Sequence, residues 1–160
     1  MKHAITDVKK TKQICGEDVG NITAEYSKLK GINIPANQSA YLIDEYPILS
    51  VAASCAQGRT YMPGIAELRV KETDRIAVMA RGLEACGVSV DEQPDSLTVD
   101  GQKQITGGAT IASQHDHRIA MSFLVLGMVS QQTVSVIDTE TIATSFPQFA
   151  SLMNDAGANI

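Results

Sequence analysis

Charged residues with the potential for chemistry are concentrated at residues 67–75, where most of the side chains carry a charge. Thr73 and Asp74 are residue types that begin helices, and apolar residues follow them at helical spacing as far as Gly87. Lys71 and Arg75 are therefore predicted to lie at a helix N-terminus, where the helix dipole disfavours a cation by about 0.3–1 kcal/mol. Two cations in such a place suggest that the site binds an anion.

A structural explanation of the same charges is an exposed loop held by ion pairs. The three acidic residues of the stretch can pair with its three basic residues, and such surface pairs are common and weak. The acids are Glu67, Glu72 and Asp74, and the bases are Arg69, Lys71 and Arg75. The charge pattern alone does not decide between the loop and the anion site.

A second group, Asp116-His117-Arg118, favours the anion site. It begins a long apolar run that is typical of a buried helix, so Arg118 also lies at a helix N-terminus. A local explanation is that Asp116 caps this helix and pairs with Arg118. The functional explanation is that Arg75 and Arg118 converge on one anion, because guanidinium groups match the geometry of carboxylates and phosphates.

Two carboxylates are candidates for proton transfer. Asp44 precedes an apolar helix, so it is also a candidate N-cap. Glu72 is the stronger candidate, because flanking cations and burial tune a carboxylate in opposite directions. The adjacent residues His115, Asp116 and His117 project in different directions, and no Cys or His lies at ligand spacing elsewhere, so we predict no metal and no cofactor.

Composition excludes some classes of partner. The chain has 160 residues, a net charge of −5, only 4% aromatic residues and no Trp, which argues against binding nucleic acid. No apolar run approaches membrane-spanning length, and the three cysteines have no CxxC spacing. We therefore expect a soluble protein of the reducing cytoplasm that does not bind membranes.

The surrounding patterns predict alternating strands and helices. Residues 1–20 are expected to form a terminal segment with a turn, and residues 36–41 a loop. Strands are predicted at residues 21–28, 32–34, 60–62, 88–90, 96–99, 109–112 and 133–137. Helices are predicted to begin at Asp44, at Thr73-Asp74, at Asp116 and at Ser145.

Corresponding features recur about 70 positions apart, which indicates an internal repeat. Asp44 and Asp116 are 72 positions apart, and Thr60 and Thr133, which begin the strands after those helices, are 73 apart. The sequence therefore predicts an α/β fold of stacked βαβαββ units, with about two units in residues 21–160. The second unit stops where its hairpin should begin, so we expect a fragment of a longer protein.

Three motifs carry a resemblance to a known family. Lys71-Glu72-Thr73-Asp74-Arg75, together with the segments at residues 43–48 and 116–122, resembles the 5-enolpyruvylshikimate-3-phosphate synthase family. The resemblance runs from about Gly16 to the end of the chain. It implies an inside-out α/β barrel of the enolpyruvyl transferase type, here a partial C-terminal domain without the N-terminal domain.

The resemblance also implies an activity and residue roles. Members of the family transfer the enolpyruvyl group of phosphoenolpyruvate to the 5-hydroxyl of shikimate 3-phosphate and release phosphate. By match to the motifs, Asp44 would deprotonate the hydroxyl and Glu72 would protonate the methylene carbon. Lys71 would bridge both substrates, and Arg75 and Arg118 would hold phosphoenolpyruvate. The role of His117, beside Arg118, stays open.

Two departures from the family pattern limit what this chain is expected to do. Thr144 stands where many members have a Lys that contacts phosphoenolpyruvate. The missing N-terminal domain supplies most contacts to shikimate phosphate, so we expect the isolated chain to bind phosphoenolpyruvate weakly, to be inactive and to self-associate. The alternatives are a relative that acts on a UDP-amino sugar, such as UDP-N-acetylglucosamine, and a non-catalytic module for anion binding or assembly.

Overall fold

The structure, a computed structural model, describes residues 5–160, but not the side chains of residues 5–8 and 10. The strands are β1 (Ile5–Ile14), β2 (Glu17–Glu25), β3 (Gly58–Pro63), β4 (Ser89–Gln93), β5 (Ser96–Gly101), β6 (Ile105–Gly107), β7 (Thr110–Ala112), β8 (Ser130–Gln132) and β9 (Ser135–Ile137). The α-helices are α1 (Ser39–Leu42), α2 (Tyr46–Ser54), α3 (Arg75–Ala85), α4 (His117–Gly127), α5 (Ile142–Ser145) and α6 (Phe149–Asp155). Short 3-10 turns occupy Ala36–Gln38, Ile43–Glu45 and Ala66–Val70.

Two helices begin where the sequence predicts, each with an aspartate as N-cap. The carboxylate of Asp74 accepts a hydrogen bond from the backbone N–H of Ala77 at 3.0 Å. The carboxylate of Asp116 accepts from the backbone N–H groups of Arg118 and Ile119. Both caps satisfy donors that the first helical turn leaves without a partner, which explains why α3 and α4 start at these positions.

The predicted cap of α2 is wrong. Asp44 lies within the 3-10 turn Ile43–Glu45, and the residue before α2 makes no side-chain cap. The carboxylate of Asp44 instead accepts a hydrogen bond from Arg75. This charge-assisted bond to a buried guanidinium satisfies the carboxylate in place of a helix cap.

Residues 5–20 differ from the sequence prediction, while the strand predicted at residues 21–28 is present as far as Glu25. β1 and β2 form an antiparallel hairpin whose turn contains Cys15 and Gly16, both with positive φ. The terminal segment expected at residues 1–20 is therefore, from Ile5 onward, largely strand, while residues 1–4 lie outside the described residues. The sequence misses β1 and the start of β2, and the described side chains there are almost all exposed, so no buried face marks these residues.

Other short elements also differ. Residues 36–41, predicted as a loop, contain a 3-10 turn and the start of α1, and the single helix predicted from Ser145 is replaced by α5 and α6. The strand predicted at residues 32–34 is reduced to an isolated bridge from Asn33 to Tyr61. β6 and β8 are only three residues long, which gives too few positions for a periodic signal.

The two halves of the chain share a strand–helix–strand order. In the first half, Lys30 and Asn33 pair in parallel with Gln57 and Tyr61, and α2 lies between them in the sequence. In the second half, β6 pairs in parallel with β8 and β7 with β9, and α4 lies between. Strands β3, β5 and β4 form an antiparallel sheet in that order, which contains the predicted hairpin.

The core is built where α2, α3 and α4 pack against one another, with strands around them. Phe123 of α4 is fully buried and lies so close to Gly82 of α3 that a Cβ there would come within 2.2 Å of the ring. This close approach lets α3 and α4 run side by side with their N-termini at the same end. The result is an α/β fold in which the predicted site residues meet at one end of the helical core. Within residues 5–160, no helix is both long enough and apolar enough to span a membrane.

Candidate active site

Arg75 is the centre of the candidate site. Its side chain is only 1% exposed, and each of its three guanidinium nitrogens donates a hydrogen bond to a different carboxylate. Nε donates to Asp116 at 2.7 Å, Nη1 to Asp44 at 2.9 Å and Nη2 to Glu72 at 2.6 Å. One cation thus joins the turn before α2, the loop before α3 and the start of α4.

The charge of Arg75 is retained despite its burial. Desolvation alone would lower the pKa of the guanidinium, but the hydrogen bond and charge of Asp116, with further contributions from Glu72 and Asp44, raise the pKa above its ordinary value. A buried cation with three anionic partners is stable only while those partners remain in place. The geometry of Asp44 and Glu72 is therefore coupled through Arg75.

Asp116 belongs to the candidate site through a contact that the sequence does not predict. Its side chain is fully buried, and besides capping α4 it accepts the hydrogen bond from Arg75. The predicted local pair with the guanidinium of Arg118 is wrong, because Asp116 accepts from the backbone N–H of Arg118 instead. The partners lie 41 positions apart, so only the three-dimensional packing reveals the contact.

Arg118 approaches the same place from α4. Its Nη1 donates to the backbone carbonyl of Asp44 at 2.9 Å and to the carboxylate of Glu45 at 3.3 Å. Arg75 contacts the carboxylate of Asp44, while Arg118 contacts its carbonyl. The basic side chains of the two halves therefore converge on one residue, and Arg118 remains partly exposed at the surface of the site.

Asp44 lies between these cations and is 46% exposed. Its slight burial would raise the pKa of the carboxyl. The hydrogen bond from Arg75 and the positive charges of Arg118, Lys71 and Arg75 outweigh that effect and lower the pKa below its ordinary value. Asp44 is thus an ionised carboxylate at neutral pH, as a proton acceptor must be.

Lys71 lies at the edge of the site. Its Nζ donates to Glu67 at 2.6 Å, and this bond raises the pKa of the ammonium group. The charges of Asp44 and Arg75 also act on that pKa, which shows that Lys71 lies near both residues. Glu72, on the next position, is 49% exposed, so both of the predicted proton-transfer carboxylates are accessible to a ligand.

The ion-pair explanation of the charged stretch is correct in part. The three ion pairs within it are present: Lys71 with Glu67, Arg75 with Glu72, and Arg69 with Asp74. An exposed loop is wrong for Arg75, however, because this side chain is buried and also binds residues of two other segments. Long-range carboxylate contacts of this kind are typical of a built site and not of a solvated surface loop.

The loop before α3 also contacts the loop before α4. Thr73 donates its hydroxyl hydrogen bond to the side chain of Gln114. Gln114 and His115 both have φ near +60°, a left-handed conformation that costs a non-glycine residue about 1–2 kcal/mol. The ring of His115 is hydrogen-bonded to Glu140. In the described part of the chain no cluster of potential ligands has the arrangement of a metal site.

Two residues whose roles the sequence leaves open, His117 and Thr144, lie at the start of α4 and on α5. His117 occupies the first turn of α4 and is partly buried. Thr144 is exposed on α5 and donates its hydroxyl hydrogen bond to the carbonyl of Thr141, within its own helix. Among the contacts described above, neither residue makes a hydrogen bond to Arg75 or to its three carboxylate partners.

The charges of the site constrain its chemistry. Three cations are surrounded by carboxylates that bind them directly, so the site is not a simple basic pocket. The cations are Lys71, Arg75 and Arg118, and the carboxylates are Asp44, Glu45, Glu67, Glu72 and Asp116. An anionic ligand would bind to the donors of Lys71 and Arg118 that these contacts leave over, or replace one of the exposed carboxylates on its cation. The exposed carboxylates would then be free to accept or donate a proton.

Sequence comparisons with known proteins all indicate the same family. The family described as EPSP synthase (3-phosphoshikimate 1-carboxyvinyltransferase) matches residues 2–153. A curated 3-phosphoshikimate 1-carboxyvinyltransferase from Paramagnetospirillum magneticum is 56% identical over 91% of this chain and 33% of its own length. The enzyme of the same name from Cereibacter sphaeroides is 54% identical, with the same shares covered.

Solved structures agree with this family. An EPSP synthase structure from Acinetobacter baumannii superimposes with a TM-score of 0.93 at 42% identity, over 98% of this chain and 37% of that one. The enolpyruvyl transferase NikO from Streptomyces tendae has a TM-score of 0.71 at 19% identity, over 98% and 34% of the two chains, and shares the fold. The chain spans about a third of the length of the curated relatives it matches. It belongs to the EPSP synthase family.

Proposed function

We propose that this chain forms one side of the active site of a cytoplasmic enolpyruvyl transferase. The full-length enzyme would transfer the enolpyruvyl group of phosphoenolpyruvate to the 5-hydroxyl of shikimate 3-phosphate and release phosphate. The observation that carries the proposal is the contact of Arg75 with both Asp44 and Glu72, with Arg118 on the same residue, Asp44. The relatives named above carry the shikimate name, so nothing favours the UDP-amino-sugar alternative.

Phosphoenolpyruvate would bind to the cations of the site. Arg118 and Lys71 are partly exposed, so they can meet an incoming anion directly. Arg75 uses three of its five N–H donors on carboxylates and its side chain is buried, so a ligand would reach it as Asp44 or Glu72 moves away from an Nη group. Such an exchange is plausible chemically because both carboxylates are about half exposed, whereas Asp116 is buried and would stay bound.

The two exposed carboxylates would carry the protons. Asp44 would take the proton of the 5-hydroxyl while the hydroxyl oxygen forms a bond to C2 of phosphoenolpyruvate. Glu72, in its protonated form, would give a proton to C3, and the product of both steps is a tetrahedral intermediate. Cleavage of the bond between C2 and the phosphate oxygen would then release phosphate, which gains the proton that Asp44 took from the hydroxyl, while Glu72 takes a proton back from C3. Each step leaves charge next to a cation that can stabilise it.

The rest of the full-length enzyme would complete the site. We propose that an N-terminal domain supplies further cations for the phosphate groups, since the described cations are already paired with carboxylates. The 160-residue chain alone is then expected to bind phosphoenolpyruvate weakly and to release no phosphate from it in the presence of shikimate 3-phosphate. Turnover by the isolated chain would contradict this part of the proposal.

A chimaeric enzyme tests the residue roles. This chain replaces its counterpart in the Acinetobacter baumannii EPSP synthase, whose fold it matches closely. Glu72→Gln should lower kcat by about 10²–10⁴-fold, the range that general acid–base catalysis contributes. Arg118→Gln should mainly raise the KM for phosphoenolpyruvate. The exposed Arg59, which pairs with Asp100 on β5, provides the matched control Arg59→Gln, which should change neither constant. An active chimaera in which Glu72→Gln turns over normally would refute the role of Glu72.

We further propose that the isolated chain self-associates. A largely apolar groove of about 880 Å³ lies along α2 and α4, where its walls include Ile48, Val51, Cys55, Val125 and Val129. The groove leaves apolar side chains in contact with water, and burying them against another surface is favourable. In a solution of the 160-residue chain by itself, a second copy of the chain is the occupant we expect.

A further inference from the structure

Arg69 makes more hydrogen bonds than any role discussed so far explains. Its Nη1 donates to both carboxylate oxygens of Asp74, at 2.8 and 3.1 Å, and to Glu92 at 3.0 Å. Its Nε donates to the carbonyl of Pro94 at 2.8 Å, and Nη2 to the carbonyl of Gln93 at 2.6 Å. One guanidinium therefore binds the beginning of α3 and the turn between β4 and β5.

The ion pair of Arg69 with Asp74 joins two points of the chain that are five positions apart. Asp74 also caps α3 by accepting from the backbone N–H of Ala77, so its position is held from the helix side. Arg69 belongs to the 3-10 turn that precedes the loop. The ion pair thus joins the two ends of a short loop, residues 70–73, and this loop contains both Lys71 and Glu72.

The 3-10 turn is itself fixed to the hairpin. Asp95, in the turn between β4 and β5, accepts from the backbone N–H of Ala66 through its carboxylate at 2.6 Å, and its carbonyl accepts from the N–H of Ile65. Arg69 binds the two preceding carbonyls of the same hairpin turn. Both ends of the loop are therefore attached to regular elements: one end to α3 and the other to the β4–β5 hairpin.

We propose that Arg69 is a positioning residue that holds Lys71 and Glu72 in the active site by closing the loop between the hairpin and α3. Arg69 points away to Asp74 and the hairpin and acts on the site only through the backbone of residues 70–73. The consequence for ligand binding rests on the proposed function, because it assumes that Lys71 and Glu72 meet phosphoenolpyruvate. The consequence for loop order does not depend on any ligand.

Three variants of the 160-residue chain test this inference. Arg69→Gln removes the charge and most of the donors. Asp74→Asn removes the ion pair but keeps an oxygen that can cap α3, so it loosens the loop without weakening the helix start. Arg59→Gln is the matched control, because Arg59 also makes a two-bond ion pair with an aspartate, on the exposed side of β3 and β5.

The first measurement is the backbone ¹⁵N order parameter without ligand. In the wild type, residues 70–73 should resemble the rigid helices, near about 0.85, and in Arg69→Gln and Asp74→Asn they should fall below about 0.6. The order parameters of α3 should not change, which separates loss of positioning from general destabilisation. Order parameters of residues 70–73 that stay at the wild-type value in both variants would overturn the inference.

The second measurement is the affinity for phosphoenolpyruvate, followed by NMR titration. Both loop variants should bind about tenfold or more weakly, since misplacing binding groups by about an ångström has effects of that size, and Arg59→Gln should bind as the wild type does. Loop variants that lose order but bind with unchanged affinity would overturn the positioning role. A wild-type chain that does not bind at Lys71 and Arg118 would instead contradict the proposed function, while the order parameters still decide the role of Arg69.

Discussion

Arg75 and Asp116 form a buried ion pair that joins the two halves of the chain. Nε of Arg75 donates to Oδ2 of Asp116 at 2.7 Å, and the two side chains are 1% and 0% exposed. Because Asp116 also caps α4, the start of that helix is bonded directly to the start of α3. The remaining guanidinium nitrogens of Arg75 then point to Asp44 and Glu72, so the buried pair orients both exposed carboxylates.

Removing Asp116 should be strongly destabilising. Asp116→Ala leaves the buried cation of Arg75 without its buried partner, and breaking such a pair costs about 3–5 kcal/mol. Asp100→Ala is the control, because the exposed pair of Asp100 with Arg59 contributes about 1 kcal/mol or less. Urea denaturation of both variants measures the difference. Equal losses of unfolding free energy would show that the Arg75–Asp116 pair is not the structural link described here.

Gly82→Ala should lower stability, although helix propensity predicts the opposite. Alanine gains about 1 kcal/mol over glycine within a helix. At Gly82 the new methyl group would meet the buried ring of Phe123 at 2.2 Å, and overpacking of a core costs about 1–3 kcal/mol. Gly127→Ala is the control, since the nearest side-chain atom there is at an ordinary 3.4 Å. Thermal unfolding would contradict this packing if Gly82→Ala melted above the wild type.

The lowered pKa of Asp44 predicts a loss of stability in acid. The hydrogen bond from Arg75 and the neighbouring positive charges favour the ionised form in the folded protein against the effect of burial. The contribution is therefore fully present above the ordinary pKa of 3.8 and is lost as the pH falls from there through the lower, folded-state pKa. Asp44→Asn should lack this part of the pH dependence.

Unfolding free energies of the wild type and Asp44→Asn, compared between pH 6 and pH 2 (about the range that spans both pKa values), measure this contribution. Asp100 and Glu140, whose pKa values are also lowered, are present in both proteins, so their effects cancel in the difference. Parallel curves for the two proteins would mean that Arg75 does not stabilise the ionised form of Asp44.

The three cysteines should differ in reactivity. Burial raises the pKa of the Cys86 thiol, and this side chain is inaccessible, whereas Cys15 and Cys55 are exposed. Iodoacetamide should therefore label Cys15 and Cys55 in the folded protein and Cys86 only after unfolding. Because Cys55 lines the apolar groove, its labelling should also slow as the protein concentration rises, while that of Cys15 should not. Labelling of Cys55 that is independent of concentration would contradict self-association through the groove.

Local chemistry was sufficient to predict several elements of the fold. Asp74 and Asp116 were correctly placed as helix caps, because an acidic residue directly before a long apolar run is a strong local signal. The β4–β5 hairpin was predicted from short alternating strands around Pro94. β1 and the start of β2 were missed because the side chains that the structure describes there are almost all exposed, so no buried face repeats along the sequence.

The site itself was predictable only in part. The sequence placed Arg75 and Arg118 at helix N-termini, where both side chains contact Asp44, while the anion predicted to bind them stays a prediction. The cap predicted for Asp44 was wrong, and the contact from Arg75 to Asp116 was missed, because partners 31 and 41 positions apart leave no local pattern. The pair of Arg69 with Asp74 lies within reach of sequence analysis, but its bonds to the hairpin do not, since those acceptors lie more than twenty positions later.

The measurement that tests the central claim most directly is a titration of the ¹⁵N-labelled chain with phosphoenolpyruvate, followed through the side-chain signals of Lys71, Arg75 and Arg118. All three signals should shift together and saturate at a single dissociation constant, and Arg118→Gln should weaken that constant, while sulfate at the same concentration should not reproduce the pattern. If the guanidinium signals of Arg75 and Arg118 do not move, or move independently of each other, these side chains do not form one anion site.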